Sequence, residues 1–195
     1  MISYWEEGCK FLLNSDPKFK KYYNSNHSLK LNKNKFDVLF KSICSQQISV
    51  SAAMSIYNNS KKIIGPINYL NFKKNIFKIT KLPLTKNKKK SIKSLIDNYE
   101  LVKKIKSSNP EINDINSLTK IFGIGNWTVD MFSIFHLGLS SIMPMGDLGF
   151  INAYKKYYND PDLIKFNKNS KKWSKYSTIV TWYLWASYDS EPLYL

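Results

Sequence analysis

One carboxylate stands out because it follows a short loop of unusual composition. Asp147 comes directly after Pro144-Met145-Gly146 and precedes an apolar helical pattern that begins near Phe150. A carboxylate in a partly dry site can stabilise developing positive charge and can position a water molecule. An aspartate here is also a good helix N-cap, and the two roles do not exclude each other. The nearest rival carboxylate, Asp130, lies in the middle of a predicted helix, where a surface or pairing role is expected.

A second candidate site is the glycine turn Gly123-Ile124-Gly125. The segment from Leu118 to Phe122 is interpreted as the end of one helix, and Trp127 to Leu137 as a second, buried helix. Two glycines around one apolar residue favour a turn with unusual backbone angles that approaches another molecule closely. The amides at the start of the second helix can then bind an anion such as phosphate. An ordinary turn between packed helices is the alternative.

The charge of the chain favours a polyanionic partner. The formal net charge is +16 over 195 residues, which suits nucleic acid or an anionic membrane surface. Nearly all of the excess is Lys in a chain that is also rich in Asn, Ile and Tyr, and an AT-rich genome produces this composition by codon bias alone. A content of 43% hydrophobic residues excludes general disorder, so the chain can bury a substantial core.

The cysteine and histidine usage predicts an intracellular protein without a metal bound by side chains. Two cysteines, Cys9 and Cys44, cannot supply the about four ligands of an iron–sulfur cluster. His27 and His136 lack the spacing of metal ligands, so each is expected to be structural or exposed. No apolar run approaches the ~20 residues of a membrane span, and the N-terminus lacks a signal-peptide pattern. The expected location is a bacterial cytoplasm or a nucleus, with no membrane partner.

Helical periodicity recurs along the chain, and it predicts an all-α fold. Phe36, Leu39, Phe40 and Ile43 share one face of a helix that points at a core. Residues 44–49 interrupt this pattern before a further helix, and Thr85 is the predicted N-cap of a later one. Residues 166–170 are predicted to form a loop.

The order of these features resembles the helix-hairpin-helix Gly-Pro-Asp superfamily of DNA base-excision glycosylases. The strings Gly-Ile-Gly-x-Trp-Thr and Asp-Leu-Gly are most similar to its DNA-3-methyladenine glycosylase II branch. The segment Ile-Cys-Ser-Gln-Gln-Ile-Ser matches the family's Ile-x-Ser-Gln-Gln-x-Ser, and residues 173–185 match its closing aromatic helix. The resemblance extends from about Trp5 to Trp185. It implies one domain of two helical lobes with a cleft, a helix-hairpin-helix motif at about 113–137 and a catalytic loop at 138–149.

The resemblance also implies roles for individual residues. Asp147 is the catalytic carboxylate, and Gln47 is the plug that fills the hole left by an everted base. The remaining implied residues fall into a base pocket, formed by Trp127, Met131 and Trp185, and a DNA-binding group, formed with Gln47 by Gly123, Ile124, Gly125 and Thr128. In the family the hairpin backbone also holds a monovalent cation, so Na⁺ or K⁺ is expected near Gly123 and Gly125. Without the resemblance, Gln46 and Gln47 would be expected only to hydrogen-bond their own turn.

The reaction implied by the resemblance is hydrolysis of the N-glycosidic bond of 3-methyladenine-type purines in double-stranded DNA, which leaves an abasic site. Aromatic faces suit such a cationic base. Bifunctional relatives carry a Lys two residues after the second glycine, where this chain has Trp127, so strand cleavage is not expected. The protein is expected to act as a monomer.

Two departures from the family pattern bear on this reading. Lys175 stands in place of a Pro, and Ser177 in place of an Arg. The two roles open for that Arg are a structural one and support of the loop near the catalytic Asp, so its absence puts part of that support in doubt. The alternatives are a superfamily glycosylase for another damaged base, such as an oxidised or deaminated purine, and a non-catalytic DNA-binding helix-hairpin-helix module. The position of Asp147 after the hairpin argues against the non-catalytic module.

Overall fold

The structure is a computed structural model that describes residues 2–21 and 23–188. All regular secondary structure in these two ranges is helical, which confirms the all-α prediction. The chain divides into two compact units, one formed by Met1–Leu31 with Gly138–Leu195 and the other by Asn32–Leu137. The first unit therefore contains Asp147, and the second contains the glycine turn.

The α-helices are short to medium in length. In chain order they are α1 Trp5–Ser15, α2 Lys35–Ser45, α3 Val50–Ile64, α4 Tyr69–Lys74, α5 Lys86–Asp97, α6 Tyr99–Lys104, α7 Ile112–Asn116, α8 Asn126–Phe132, α9 Leu148–Tyr158, α10 Phe166–Ser170 and α11 Ser177–Tyr188. Within the described ranges, 3₁₀ segments lie at Pro17–Lys21, Ile76–Lys81, Ser117–Lys120 and Lys171–Tyr176, and a π-helical turn, Ser133–Leu137, continues α8. The helix α10 corrects the loop predicted for residues 166–170.

The core of the second unit is built on the apolar face of α2. The four residues predicted to share this face are fully buried, which confirms the helical spacing. Phe36 and Phe40 pack against Phe72 of α4, with ring centroids 4.9 and 5.0 Å apart. Such aromatic pairs contribute about 0.5–1.5 kcal/mol each beyond the area that they bury.

Helix caps fix where the chain enters this core. The amide of Asp37 donates to the side chain of Asn34 at the start of α2, and the amide of Lys88 donates to Thr85 at the start of α5. The cap predicted at Thr85 is therefore confirmed. Each cap satisfies a backbone amide that has no partner within its own helix.

The first unit is held by a buried chain of hydrogen bonds among aromatic side chains. The indole N–H of Trp173 donates to the hydroxyl of Tyr158 at 3.1 Å, and that hydroxyl donates to the carboxylate of Asp16. All three side chains are buried. Burial and the nearby carboxylate raise the pKa of Tyr158 above its usual value, so the phenol stays a proton donor at neutral pH.

Among the helices of the described residues, none is both long enough and apolar enough to cross a membrane.

His136 is a structural residue of the second unit, as predicted. Its Nδ1 lies 2.8 Å from the carbonyl oxygen of Asn32, and its Nε2 lies 3.0 Å from the hydroxyl of Ser107. A carbonyl only accepts, so Nδ1 carries the proton and the neutral Nε2 accepts from Ser107. The side chain is 5% exposed, and this burial lowers the pKa of His136 below its ordinary value.

The lowered pKa of His136 predicts a loss of stability in mild acid. Below about pH 6.5 the unfolded chain binds a proton that the folded chain resists, so the free energy of unfolding falls as the pH falls. We expect this fall to be steeper in the wild type than in His136→Asn, by up to about 1.4 kcal/mol per pH unit. Urea denaturation of both proteins from pH 7.5 to 5.5 measures the difference, and parallel curves would contradict the assignment.

Candidate functional site

Asp147 ends the loop of the first unit and begins α9. Its Oδ1 accepts the amide of Phe150 at 2.6 Å, which makes Asp147 the N-cap of α9, as the sequence predicts. The same oxygen accepts the indole N–H of Trp185 at 3.0 Å. The loop predicted to extend to residue 149 therefore ends at Asp147. Both hydrogen bonds fix the orientation of a half-buried carboxylate.

Gly149 leaves room for the contact between Asp147 and Trp185. A Cβ atom at this position would lie 3.1 Å from Oδ1 of Asp147 and 3.7 Å from the Trp185 indole. The contact with Asp147 would be tight, whereas the contact with the indole would be an ordinary van der Waals contact. The structure thus brings together two of the predicted site residues, the carboxylate and one aromatic pocket residue, on adjoining parts of α9 and α11.

The loop before Asp147 is held by Thr178, a residue of the segment that matches the family's closing helix and one for which the sequence predicts no role. The buried hydroxyl of Thr178 donates to the carbonyl of Leu139 at 2.6 Å and accepts the amide of Ile142 at 3.0 Å. The amide of Thr178 donates to the carbonyl of Ser140 at 3.0 Å. The loop support that the missing family Arg put in doubt is therefore supplied by the next residue along α11.

Ser177 itself takes no part in this support. Its side chain is buried at 1% exposure, and within the described part of the chain its hydroxyl has no hydrogen-bond partner. An unpaired buried hydroxyl costs stability, so Ser177 fills space without anchoring the loop.

The glycine turn of the second unit differs in detail from the prediction. The helix before the turn is short, because α7 passes into the 3₁₀ segment Ser117–Lys120 and the amide of Ile121 donates to the carbonyl of Leu118. Helical structure thus ends at Lys120 rather than Phe122. The predicted buried helix after the turn is present as α8 and its π-helical continuation.

Only the first glycine has an unusual backbone angle. Gly123 has φ of +82°, and a Cβ there would lie 2.6 Å from Cβ of Ser91 on α5. Gly125, in contrast, has an extended φ of −103°, and a Cβ there would meet nothing within 4 Å. The prediction of unusual angles is wrong for Gly125, where the absent side chain instead leaves the backbone open to an approaching molecule.

The start of α8 presents backbone donors beside Gly125. The first helical hydrogen bond runs from the amide of Val129 to the carbonyl of Gly125, so the preceding amides of the first turn lie ahead of the helical ladder. The side chain of Ile124 is 4% exposed, and its amide donates to the carbonyl of Ile121. Ile124 therefore packs the turn, and its DNA-binding role stays a prediction.

Three further predicted residues lie near the start of α8 or within it. Trp127 is half-buried, so part of its indole is accessible. Met131 is 2% exposed, which makes it a packing residue rather than an accessible pocket wall in this structure. Thr128 is 1% exposed, and its hydroxyl accepts the side-chain amide of Gln46 at 3.1 Å. The side chain of Thr128 thus holds the turn that contains Gln46, and its DNA-binding role stays a prediction.

The predicted plug, Gln47, lies in the turn between α2 and α3. It is exposed and has φ of +60°, which is uncommon for any residue other than glycine. Within the described residues its side chain makes no hydrogen bond to the rest of the protein. The side chain of Gln46 differs from the alternative reading of the Gln-Gln pair, because it bonds Gly123 and Thr128 rather than its own turn.

The turn carbonyls are compatible with the expected monovalent cation. The carbonyl of Gly123 accepts Nε2 of Gln46 at 2.9 Å, and that of Ile121 accepts the amide of Ile124 at 3.0 Å. A carbonyl oxygen has two lone pairs, so each of these groups retains the capacity for one more ligand. Among the described residues, no cluster of His, Cys, Asp or Glu suits a metal ion.

Comparison with known proteins identifies the family of the chain. The DNA-3-methyladenine glycosylase 1 of Schizosaccharomyces pombe is 30% identical over 180 residues, which cover 85% of this chain and 77% of that protein. The chain belongs to the 3-methyladenine DNA glycosylase family. No protein-family model matches it. The family predicted from the glycine turn and the Asp-Leu-Gly segment is thus confirmed.

Solved structures of 3-methyladenine glycosylases share the fold of the chain. The Schizosaccharomyces pombe enzyme in complex with abasic DNA superimposes with a TM-score of 0.75 at 25% identity and covers 97% of this chain and 99% of its own. The Bacillus halodurans enzyme has a TM-score of 0.71 at 24% identity and covers 94% of this chain and 89% of its own. The described chain therefore has the helical glycosylase fold of this family.

The different environments of the two turn glycines predict opposite responses to alanine. Gly123→Ala places a side chain at positive φ against Ser91, so the free energy of unfolding should fall by about 1–3 kcal/mol. Gly125→Ala is the matched control, since its backbone angles suit alanine and the space is open, and it should change stability by less than about 0.5 kcal/mol. Chemical denaturation measures both, and equal losses would contradict the described turn.

Proposed function

We propose that this protein hydrolyses the N-glycosidic bond of alkylated, 3-methyladenine-type purines in double-stranded DNA. The observation that carries the proposal is the anchored carboxylate of Asp147, which follows Pro144-Met145-Gly146 at the position of the family's catalytic aspartate. Membership of the 3-methyladenine glycosylase family supports the alkylpurine substrate over an oxidised or deaminated base.

The reaction requires the enzyme mainly to position the nucleotide and the attacking water, and to stabilise positive charge on the sugar. A base-excision enzyme must turn its target nucleotide out of the duplex before it can reach the glycosidic bond. An alkylated purine that already carries positive charge leaves without a strong general acid, and the sugar then develops oxocarbenium character. A fixed carboxylate stabilises that charge and orients the attacking water. The two hydrogen bonds that Oδ1 accepts, from the amide of Phe150 and the indole of Trp185, hold the carboxylate of Asp147 in one orientation before the reaction.

Aromatic surface beside the carboxylate favours a cationic base. Trp185 donates to Asp147 through its indole N–H, so its ring lies next to the catalytic oxygen atoms. The face of an indole attracts a cation, with typical energies of about 0.5–2 kcal/mol. We therefore assign Trp185 to the base pocket.

DNA binding is assigned to the second unit. Gly125 leaves the backbone open at the first turn of α8, where amides that precede the helical hydrogen bonds suit a phosphate oxygen. A Na⁺ or K⁺ ion on the turn carbonyls would strengthen that contact by neutralising phosphate charge. The exposed Gln47 is the assigned plug, and the net charge of +16 supplies attraction for DNA of any sequence. We propose that the protein works as a monomer on cytoplasmic or nuclear DNA.

The reaction is assigned to a monofunctional route that uses water. Trp127 occupies the position of the lysine of bifunctional relatives, and its indole has no amine to attack the sugar. Burial raises the pKa of the Cys9 thiol to about 11 and that of Cys44 to about 12, so neither is a thiolate nucleophile at neutral pH.

Asp147→Asn tests the catalytic role without removing the helix cap. Asparagine is a good N-cap and retains an oxygen that can accept from Phe150 and Trp185, but it lacks the charge. We expect base release from methylated duplex DNA to fall on the order of a hundredfold or more. Thermal stability and DNA affinity should stay close to those of the wild type. A variant that releases base at a comparable rate would remove Asp147 from the mechanism.

Borohydride trapping tests the route of the reaction. An amine nucleophile would leave an imine that borohydride reduces to a stable protein–DNA adduct, whereas water leaves none. We expect no adduct on a substrate that contains an alkylated purine, and we expect strand cleavage only after alkali is added. An adduct formed by the purified protein would rule out the monofunctional route.

A further inference from the structure

The side chain of Gln46 joins the turn that carries Gln47 to the glycine turn. Its Nε2 donates to the carbonyl of Gly123 at 2.9 Å and to the hydroxyl of Thr128 at 3.1 Å. These contacts link residues 77 and 82 positions apart within the second unit. The amide group has two N–H donors, and one bond to each acceptor uses both of them.

The backbone of the same residue is held from a third direction. Nζ of Lys88, on α5, donates to the carbonyl of Cys44 at 2.7 Å and to the carbonyl of Gln46 at 2.8 Å. Both carbonyls lie at the end of α2, which lacks further helical partners for them. Burial of Lys88 lowers its pKa, which marks an ammonium group that has left bulk water for these contacts.

These contacts hold the residue directly before Gln47, whose backbone is strained. Gln47 has φ of +60°, a conformation that costs on the order of 1 kcal/mol or more for a side chain other than glycine. A strained residue persists only where its surroundings fix it. The peptide group ahead of Gln47 is fixed through the carbonyl of Gln46, and the Gln46 side chain ties that residue to the glycine turn.

We propose that Gln46 is a positioning residue, which holds the plug, Gln47, in a fixed position relative to the glycine turn. Through its bonds to Gly123 and Thr128 it holds Gln47 at a set distance from the backbone that grips phosphate. When the turn binds the DNA backbone, the plug is then already in place for the hole that the everted base leaves. This inference rests on the proposed role of Gln47 as the plug.

Binding to a duplex with a stable abasic-site analogue tests the coupling without catalysis. The readout is the affinity for this duplex divided by the affinity for an intact duplex of the same sequence. The variants are Gln46→Met, which keeps the length of the side chain without its donors, Gln47→Ala, and the double variant. Thr128→Val is the matched control, because it removes one acceptor and leaves the bond to Gly123.

The double variant separates positioning from independent effects. If Gln46 acts through Gln47, Gln46→Met should lower the preference for the abasic duplex by about tenfold. This is the effect expected when the hydrogen bonds of one positioning side chain are lost. The double variant should then be no weaker than Gln47→Ala alone. Thr128→Val should lower the preference by a smaller factor. Affinity for the intact duplex should change by less than about threefold, because the phosphate contacts remain.

Three results would overturn the proposal. They are an unchanged preference in Gln46→Met, losses that multiply in the double variant, and an equal loss of affinity for both duplexes. Failure of the proposed function appears elsewhere, either as a wild-type protein that releases no methylated base or as a Gln47→Ala variant whose preference for the abasic duplex is unchanged. An unchanged preference in Gln47→Ala would exclude the plug role of Gln47, and therefore also the positioning role of Gln46.

Discussion

Irregular backbone must find hydrogen-bond partners, and this requirement governs the segments that carry the candidate site. Three of them are not helical: the turn at 46–49, the glycine turn at 121–125 and the loop at 138–147. A backbone group left without a partner away from water costs about as much as a lost hydrogen bond. Side chains meet the need: Lys88 of α5 and Gln46 of the turn itself in one unit, and Thr178 of α11 in the other. These contacts fix the three non-helical segments against the neighbouring helices.

The proposed catalytic carboxylate, Asp147, combines a structural role with a role in the reaction. Capping of α9 uses Oδ1 of Asp147, and the indole of Trp185 binds the same oxygen. A carboxylate fixed before the reaction needs little reorganisation as charge develops on the sugar. The cap is therefore more than a structural detail, since it aims the group that carries the charge. Gly149 leaves space beside Oδ1 of Asp147, because a Cβ atom there would lie only 3.1 Å from that oxygen.

Sequence periodicity predicted the features that depend on one face of a helix, such as buried core residues. It did not predict hydrogen bonds between residues that are far apart in the sequence. The buried face of α2 and the cap at Asp147 follow from local spacing, so both could be predicted. Family motifs supplied candidate residues but not the direction of their side chains. Thr128 illustrates the limit, because nothing in its neighbours shows that its hydroxyl binds Gln46, 82 positions away. The short helix α10 was missed because five residues carry too little periodicity.

Identification of the released base tests the central claim most directly. Purified protein is incubated with duplexes that carry alkylated, oxidised or deaminated purines, and free bases are separated by chromatography. The account predicts that 3-methyladenine appears in the soluble fraction, that an abasic strand remains, and that the oxidised and deaminated duplexes stay intact. Release of only an oxidised or deaminated base, or no release of any methylated purine, would contradict it.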